Sequence, residues 1–181
     1  FEAIDSPQHL QLHMDVNQSY LLLGYPTPTV VGSRDEAILD LASVLLGEGR
    51  SSRLHGLLKE ELGLVSSVSV SLWSQAKAGL FIVEAVSDPE NLAEVEKHIQ
   101  EQLNWLAESP PDEEELRRIK HMALADYAFS NETVSAMAHT YGSSHLLAGI
   151  DYMIRYPEII RSIEAEEIPD RFRRHLQENM L

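Results

Sequence analysis

The sequence predicts an α+β fold in which helices pack on one face of a mainly antiparallel sheet. Three observations carry this prediction. The first half of the chain holds segments in which apolar and polar residues alternate, as they do in strands. A predicted hairpin places two of these strands side by side in antiparallel order. From Pro89 onward, apolar residues recur almost throughout at helical spacing, and strands followed by a run of helices are typical of α+β proteins.

Two strands are predicted at the start of the chain. Residues 9–16 alternate apolar and polar side chains, which is the pattern of a strand with one buried face. Residues 20–25 form an almost continuous apolar run, which is typical of a strand buried on both faces. Pro26, Pro28 and Gly32 then interrupt the pattern, so we expect a turn there.

Two helices are predicted next. Ser33 followed by Glu36 is a capping-box pattern, and the helix that it opens continues to Gly47. After a short turn-rich loop, leucines at helical spacing predict a second helix over residues 54–62, which ends at Gly63.

A hairpin follows this second helix. Residues 65–73 alternate valine or leucine with serine, residues 74–79 turn the chain, and residues 80–86 form the returning strand. We expect this hairpin to be central to the sheet. The side chains expected to face the helices are Val68, Val70 and Leu72.

The rest of the chain is predicted to be helical. One amphipathic helix covers residues 92–106 and ends before two prolines. The next starts at the acidic residues 112–115, where negative charge is favourable at a helix N-terminus. Further helices are predicted around residues 134–147, 156–163 and 167–177.

Composition excludes several classes of function. The chain has 181 residues, with 14 Lys and Arg against 29 Asp and Glu, which gives a net charge of -15. This excess of negative charge argues against nucleic acids and anionic membrane surfaces as partners. The chain has no cysteine, which excludes thiolate zinc sites, iron–sulfur clusters and disulfides. No apolar stretch approaches the roughly 20 residues of a membrane span. We expect a soluble, acidic protein whose compartment the sequence leaves open.

The eight histidines do not form a recognisable metal site. His9 and His13 lie on a predicted strand, where four residues span roughly 13 Å, so they cannot share one zinc ion. His139 and His145 are six residues apart on a predicted helix and therefore lie on different faces. Neither His-x-x-Glu-His nor His-Glu-x-x-His occurs. We predict no metal and no cofactor in this chain.

One central stretch resembles a known family. Residues 45–68 read LLGEGRSSRLHGLLKEELGLVSSV. They resemble the C-terminal-type domain of the pitrilysin/insulinase superfamily of zinc metallopeptidases, which includes the mitochondrial processing peptidases. Residues 113–120 and 163–176 resemble later helices of that domain, so the similarity covers nearly the whole chain. We expect residues 1–181 to be a single second-type, non-zinc domain, excised from a longer chain and truncated before its last strand.

The resemblance implies a division of labour. In this family zinc is bound by a His-x-x-Glu-His helix of the other domain type, so this chain alone is expected to be inactive. It would help to enclose and bind an unfolded peptide, which a zinc-bearing partner domain or subunit cleaves. The alternative is a non-catalytic structural homologue, like the core proteins of respiratory complexes in the same superfamily.

The resemblance also implies two candidate substrate-binding residues. Active members place an Arg, and seven residues later a Tyr, in the corner between the second helix and the hairpin. Lys59 and Ser66 occupy these positions. Lys59 keeps the charge but not the bidentate geometry of arginine, and Ser66 lacks the aromatic ring, which favours the structural alternative. Lys59 could equally be a solvated cation that interacts favourably with the helix dipole. No catalytic residue is expected.

Overall fold

A computed structural model of the protein describes residues 8–27 and 31–176. Three strands, β1 (Ser19–Thr27), β2 (Val65–Ser74) and β3 (Gly79–Ser87), form one antiparallel sheet in the order β1-β3-β2. The described part also contains a π-helix over His55–Glu61 and a 3₁₀ turn over Pro89–Asn91. The α-helices are α1 (Arg34–Gly47), α2 (Leu92–Glu108), α3 (Glu113–Phe129), α4 (Val134–Leu147), α5 (Ile150–Ser162) and α6 (Glu167–Leu176). The predicted α+β fold is confirmed.

The prediction of a strand over residues 9–16 is wrong. This segment has no regular structure, and its apolar side chains are exposed, with Leu10 at 80%. A strand needs a neighbouring edge that accepts and donates backbone hydrogen bonds, and no described strand pairs with these residues. The alternating pattern of residues 9–16 therefore does not produce a strand, because no described strand pairs with them.

β1 also differs from its prediction, because only one of its faces is buried. Leu21 and Leu23 pack on the core, whereas Tyr20 is 72% exposed and Leu22 is 64% exposed. β3 is the central strand, and β2 is paired on one side only within the described residues. Of the two strands of the predicted hairpin, β3 is therefore central, whereas β2 lies at an edge of the described sheet.

The register sets two distinct faces of the sheet. Leu23 of β1 lies opposite Val83 of β3, which lies opposite Val70 of β2, and this row points into the core. Val68 and Val70 are buried, and Leu72 packs against the core, so their predicted orientation is confirmed. α1, α2 and α6 contact the strands on this inner side, where the ring of Phe172 meets that of Phe81 edge-on at 5.6 Å.

α1 is the central helix of the core. Its N-terminus is capped as predicted: the Ser33 hydroxyl accepts the Glu36 amide, and the Glu36 carboxylate accepts the Gly32 amide. From Ala37 to Gly47 only Asp40 is not fully buried. At Gly47 an added Cβ would lie 2.3 Å from the backbone nitrogen of Val70, so only glycine lets α1 approach β2 this closely.

Candidate functional site

The corner that holds Lys59 and Ser66 is built on a π-helix. Residues 54–62 are helical as predicted, but the backbone is wider than an α-helix: the Leu62 amide bonds the Leu57 carbonyl at 2.9 Å. The Leu64 amide then reaches the Leu58 carbonyl at 2.8 Å, and Gly63 adopts a φ of 65° between them. Glycine favours this left-handed conformation, so the chain can turn sharply into β2. π-helices are rare and are frequent at functional sites.

Lys59 lies in the last turn of the π-helix with its side chain exposed. No carboxylate in the described part of the chain lies within ion-pair distance of its ammonium group. The adjacent Glu60 is already engaged, since its carboxylate lies 3.1 Å from Nη2 of Arg50 and 3.7 Å from Nδ1 of His55. The charge of Lys59 is therefore available to a molecule outside the described structure.

Ser66 is the extra residue of a β-bulge. Val65 lies opposite Ser87 and Ser67 lies opposite Val86, so Ser66 has no partner position on β3. Its hydroxyl donates to the Val86 carbonyl at 3.2 Å and lies 3.5 Å from Nε2 of Gln18. Bulges re-aim side chains at the ends of strands. Lys59 and Ser66 thus lie at one corner, on either side of the turn at Gly63, and both are exposed.

The Ser-Ser-Arg-Leu part of the motif has a structural role. The Ser52 hydroxyl donates to the Gly49 carbonyl, and the Leu54 side chain is buried in the core. Arg53 makes two hydrogen bonds to the carboxylate of Glu115, and its guanidinium carbon lies 3.3 Å from the centre of the Trp105 ring. These contacts hold the loop before the π-helix against α2 and α3.

The side of the sheet away from the helices forms a second candidate surface. Tyr20 and Leu22 are exposed there on β1, and Trp73 is 56% exposed on β2. Their exposure shows that the described helices leave much of this side of the sheet uncovered. We call it the outer sheet face; it consists of Tyr20, Leu22, Ser67, Ser69, Ser71, Trp73, Leu80, Ile82, Glu84 and Val86. It is apolar and aromatic with hydroxyl groups along β2, and Glu84 is its one charged residue.

The described residues form no metal site. No group of three or more His, Asp or Glu side chains within residues 8–27 and 31–176 is arranged to hold a metal ion. His9 and His13 lie in the exposed segment before β1. Within the same ranges, no helix combines the length and the apolar character that crossing a membrane requires.

Comparison with known proteins identifies the family. The model of the peptidase M16 inactive domain matches residues 2–123 of the chain. The chain belongs to this family. The resemblance seen at residues 45–68 is thereby confirmed, and the domain type is the one predicted, without the zinc motif.

Similar proteins include zinc proteases and a solved peptidase M16 inactive domain. An uncharacterized zinc protease of Rickettsia felis is 24% identical over 159 residues, which are 87% of this chain and 38% of that protein. The chain thus spans about two-fifths of the length of the curated relatives that it matches. A protease from Helicobacter pylori has the same fold, with a TM-score of 0.83 and 23% identity over 91% of this chain and 40% of the other. The peptidase M16 inactive domain from Pseudomonas fluorescens gives a TM-score of 0.78 at 17% identity, covering 90% of this chain and 39% of that one.

Proposed function

We propose that this chain is the part of an M16 zinc protease that encloses and binds an unfolded peptide, which a zinc-bearing domain or subunit then cleaves. The observation that carries the proposal is the outer sheet face of an inactive-type domain. Helices cover one side of the sheet, whereas aromatic and aliphatic side chains stand exposed on the other. Exposed apolar surface of this kind on a folded domain marks an interaction site.

The chemistry of the outer sheet face suits a peptide of varied sequence. Tyr20, Leu22 and Trp73 offer apolar contact area that does not depend on one particular side chain of the peptide. The hydroxyls of Ser67, Ser69 and Ser71 alternate along β2 and can donate to or accept from a peptide backbone. Because Glu84 is the single charge, the face would reject few sequences on electrostatic grounds.

Lys59 and Ser66 would contribute from the corner between the π-helix and β2. The ammonium of Lys59, which pairs with no carboxylate among residues 8–27 and 31–176, can donate to a peptide carbonyl or pair with a peptide carboxylate. The contact would be less directional than that of the family's arginine, because lysine presents a point charge and not a planar fork. The hydroxyl of Ser66 can donate or accept one hydrogen bond, but it lacks the reach of a tyrosine. These groups would bind and orient a peptide, and none would move a proton in its cleavage.

Zinc would belong to the partner and not to this chain. The sequence has no His-x-x-Glu-His helix, and the described residues include no cluster that could supply three or more ligands. The residues present therefore do not fit a catalytic zinc, and no step of the reaction is assigned to them through the metal.

The test combines this chain with its zinc-bearing partner and measures cleavage of a fluorogenic peptide. We expect Lys59→Ala, and separately Tyr20→Ser with Trp73→Ser, to raise KM severalfold with little change in kcat, because they remove binding and not chemistry. Lys97→Ala is the matched control, since Lys97 is an exposed lysine on α2. Unchanged kinetic constants in both variants would contradict the proposal and favour the structural alternative.

A further inference from the structure

A cleft of about 330 Å³ lies at the end of β2, between α1 and α5. We call it the α1–α5 cleft; it is formed by Glu36 and Asp40 of α1, residues 72–74 of β2, and Tyr152 and Tyr156 of α5. No lysine, arginine or histidine is among its described lining residues. Its volume is near the lower end of the range for small-molecule sites, so it suits a small ligand or one side chain of a larger one.

The two carboxylates of the cleft have no cationic partner in the part of the chain that the structure describes. Glu36 and Asp40 are one helical turn apart on α1, so their side chains lie next to each other on one face. Glu36 accepts the Gly32 amide at 2.7 Å, and Asp40 accepts the hydroxyl of Tyr156. Burial raises the pKa of both carboxyl groups, and only hydrogen bonds oppose this rise. A cation next to both carboxylates would offset the cost of burying their charge.

Two hydroxyl groups of the cleft are buried without completing a hydrogen bond. The oxygens of Ser74 and Tyr152 are shielded from solvent, and neither has a hydrogen-bond partner among the described residues. Both lie close enough to the Glu36 carboxylate to lower its pKa, although neither meets it in hydrogen-bond geometry. Buried polar groups are normally paired. These two hydroxyls, which converge on one carboxylate, can therefore take a ligand as their partner.

The surroundings of the cleft add further negative charge. An adjoining cleft between α1, α3, α4 and α5 is lined by Asp40 together with Glu48 and Asp126. Its described lining residues also include no lysine, arginine or histidine. The whole chain has a net charge of -15. A cleft lined by one sign of charge concentrates ions of the opposite sign, so the ligand expected here is positively charged.

The walls of the cleft suit an organic cation better than a metal ion. Mg²⁺ and Ca²⁺ take about six or more oxygen ligands, and no group of three or more metal-binding side chains occurs within residues 8–27 and 31–176. Aromatic rings instead attract ammonium and guanidinium groups, and they pack well against the alkyl chains that carry such groups. Tyr152 and Tyr156 supply two rings, arranged edge-to-face with their centres 6.1 Å apart.

We propose that the α1–α5 cleft binds an organic cation, namely an ammonium or guanidinium group carried on an alkyl chain. The cation donates hydrogen bonds to Glu36 and Asp40 and to the hydroxyl oxygens of Ser74 and Tyr152. Its alkyl chain lies against the tyrosine rings. Two sources share this chemistry, a basic side chain of a peptide and a free amine. The proposal does not rest on the proposed function, because a free amine would bind without any peptide.

An NMR titration of the isotope-labelled 181-residue chain tests the proposal. The probes are N-acetyl-arginine N-methylamide and its neutral isostere, N-acetyl-citrulline N-methylamide. We expect the arginine derivative to shift the amide resonances of residues 36–40 and 72–74 saturably, while the resonances of α2 stay unchanged. The citrulline derivative should bind at least about tenfold more weakly, because hydrogen bonds from a charged donor are the stronger ones.

Two substitutions remove charge and keep the existing hydrogen bonds. Asp40→Asn still has an oxygen that accepts from Tyr156, and Glu36→Gln still has one that accepts from the Gly32 amide. Each should weaken binding of the arginine derivative at least about tenfold. Glu158→Gln is the matched control, because Glu158 is exposed on α5 and does not line the cleft. It should bind the arginine derivative as the unmodified chain does.

Two further probes distinguish the sources. Tighter binding of a short peptide with a single arginine would identify a peptide side chain as the ligand, and tighter binding of 1,5-diaminopentane would identify a free amine; both results support the proposal. Three results would overturn it: no saturable shift at the cleft, equal binding of the arginine and citrulline derivatives, or unchanged affinity in the folded Asp40→Asn and Glu36→Gln variants. Binding of Mg²⁺ that displaces the arginine derivative from these residues would also overturn it, because the cleft would then be a metal site.

Discussion

Arg53 and Glu115 are joined by two parallel hydrogen bonds, from Nε to Oε1 at 2.8 Å and from Nη2 to Oε2 at 3.0 Å. Glu115 also accepts the amide of Asp112 and so completes the capping box of α3. One carboxylate thus fixes both the start of α3 and the loop that leads to the π-helix. Because that loop leads into the π-helix that carries Lys59, we expect the ion pair to influence the geometry of the candidate corner.

We predict that Arg53→Lys destabilises the domain by about 1–3 kcal/mol, because lysine can neither bond both carboxylate oxygens nor stack on Trp105. Urea unfolding measures the change. Arg50→Lys is the matched control: Arg50 is 84% exposed, and its pair with Glu60 should contribute less than about 1 kcal/mol. Equal effects of the two variants would show that the Arg53 contacts are not structural.

Gly47→Ala should be strongly destabilising. The new Cβ would lie 2.3 Å from the Val70 backbone nitrogen, so α1 must move away from β2 at a cost of about 1–3 kcal/mol or more. Gly142→Ala on α4 meets nothing within 4 Å and should stabilise the helix by about 0.5–1 kcal/mol. Thermal unfolding of both variants checks the prediction, which fails if the two shifts have the same sign.

The two faces of the hairpin should respond differently to truncation. Val70→Ala removes buried methyl groups and should cost about 2 kcal/mol, from lost burial and the space left behind. Ser69→Ala changes an exposed neighbour on the outer sheet face and should shift stability by less than about 0.5 kcal/mol. Chemical denaturation of both variants measures the difference, and similar losses would contradict the two-faced register.

The isolated chain should bind no zinc in stoichiometric amount and should not cleave peptides. It lacks the ligand set and the activated water that a zinc peptidase needs. Elemental analysis after dialysis and a peptide-cleavage assay check this prediction. One tightly held zinc per chain would contradict it.

The sequence predicted the helices and the hairpin well because their patterns are local. The capping residue Ser33 and the alternation in β2 both act within a few residues, and both are found as expected. The order of strands was not accessible, because β3 lies between β2 and a strand from the start of the chain, and no local pattern encodes that pairing. The strand predicted for residues 9–16 is absent for the complementary reason: an alternating pattern gives a strand only where a partner strand is present to pair with it.

The candidate corner was predictable through the family motif, whereas the cleft between α1, α3, α4 and α5, which Asp40, Glu48 and Asp126 line, was not. Lys59 and Ser66 stand at recognisable positions of one continuous stretch. Asp40, Asp126 and Tyr156 belong to three helices that are far apart in the chain, and their meeting depends on how those helices pack. Asp40 within an otherwise buried helix was the available signal, since a carboxylate in such a position needs a partner.

The strand order β1-β3-β2 also has a consequence for the kinetics of folding. β2 and β3 are joined by a tight turn, so their pairing closes only a short loop and can form early. β1 pairs with β3 across the whole of α1, the π-helix and β2, and closing so long a loop carries a larger entropic cost. We therefore expect β1 to join a preformed hairpin late in the reaction. The outer sheet face, which takes Tyr20 and Leu22 from β1, would then be completed only in the final step of folding.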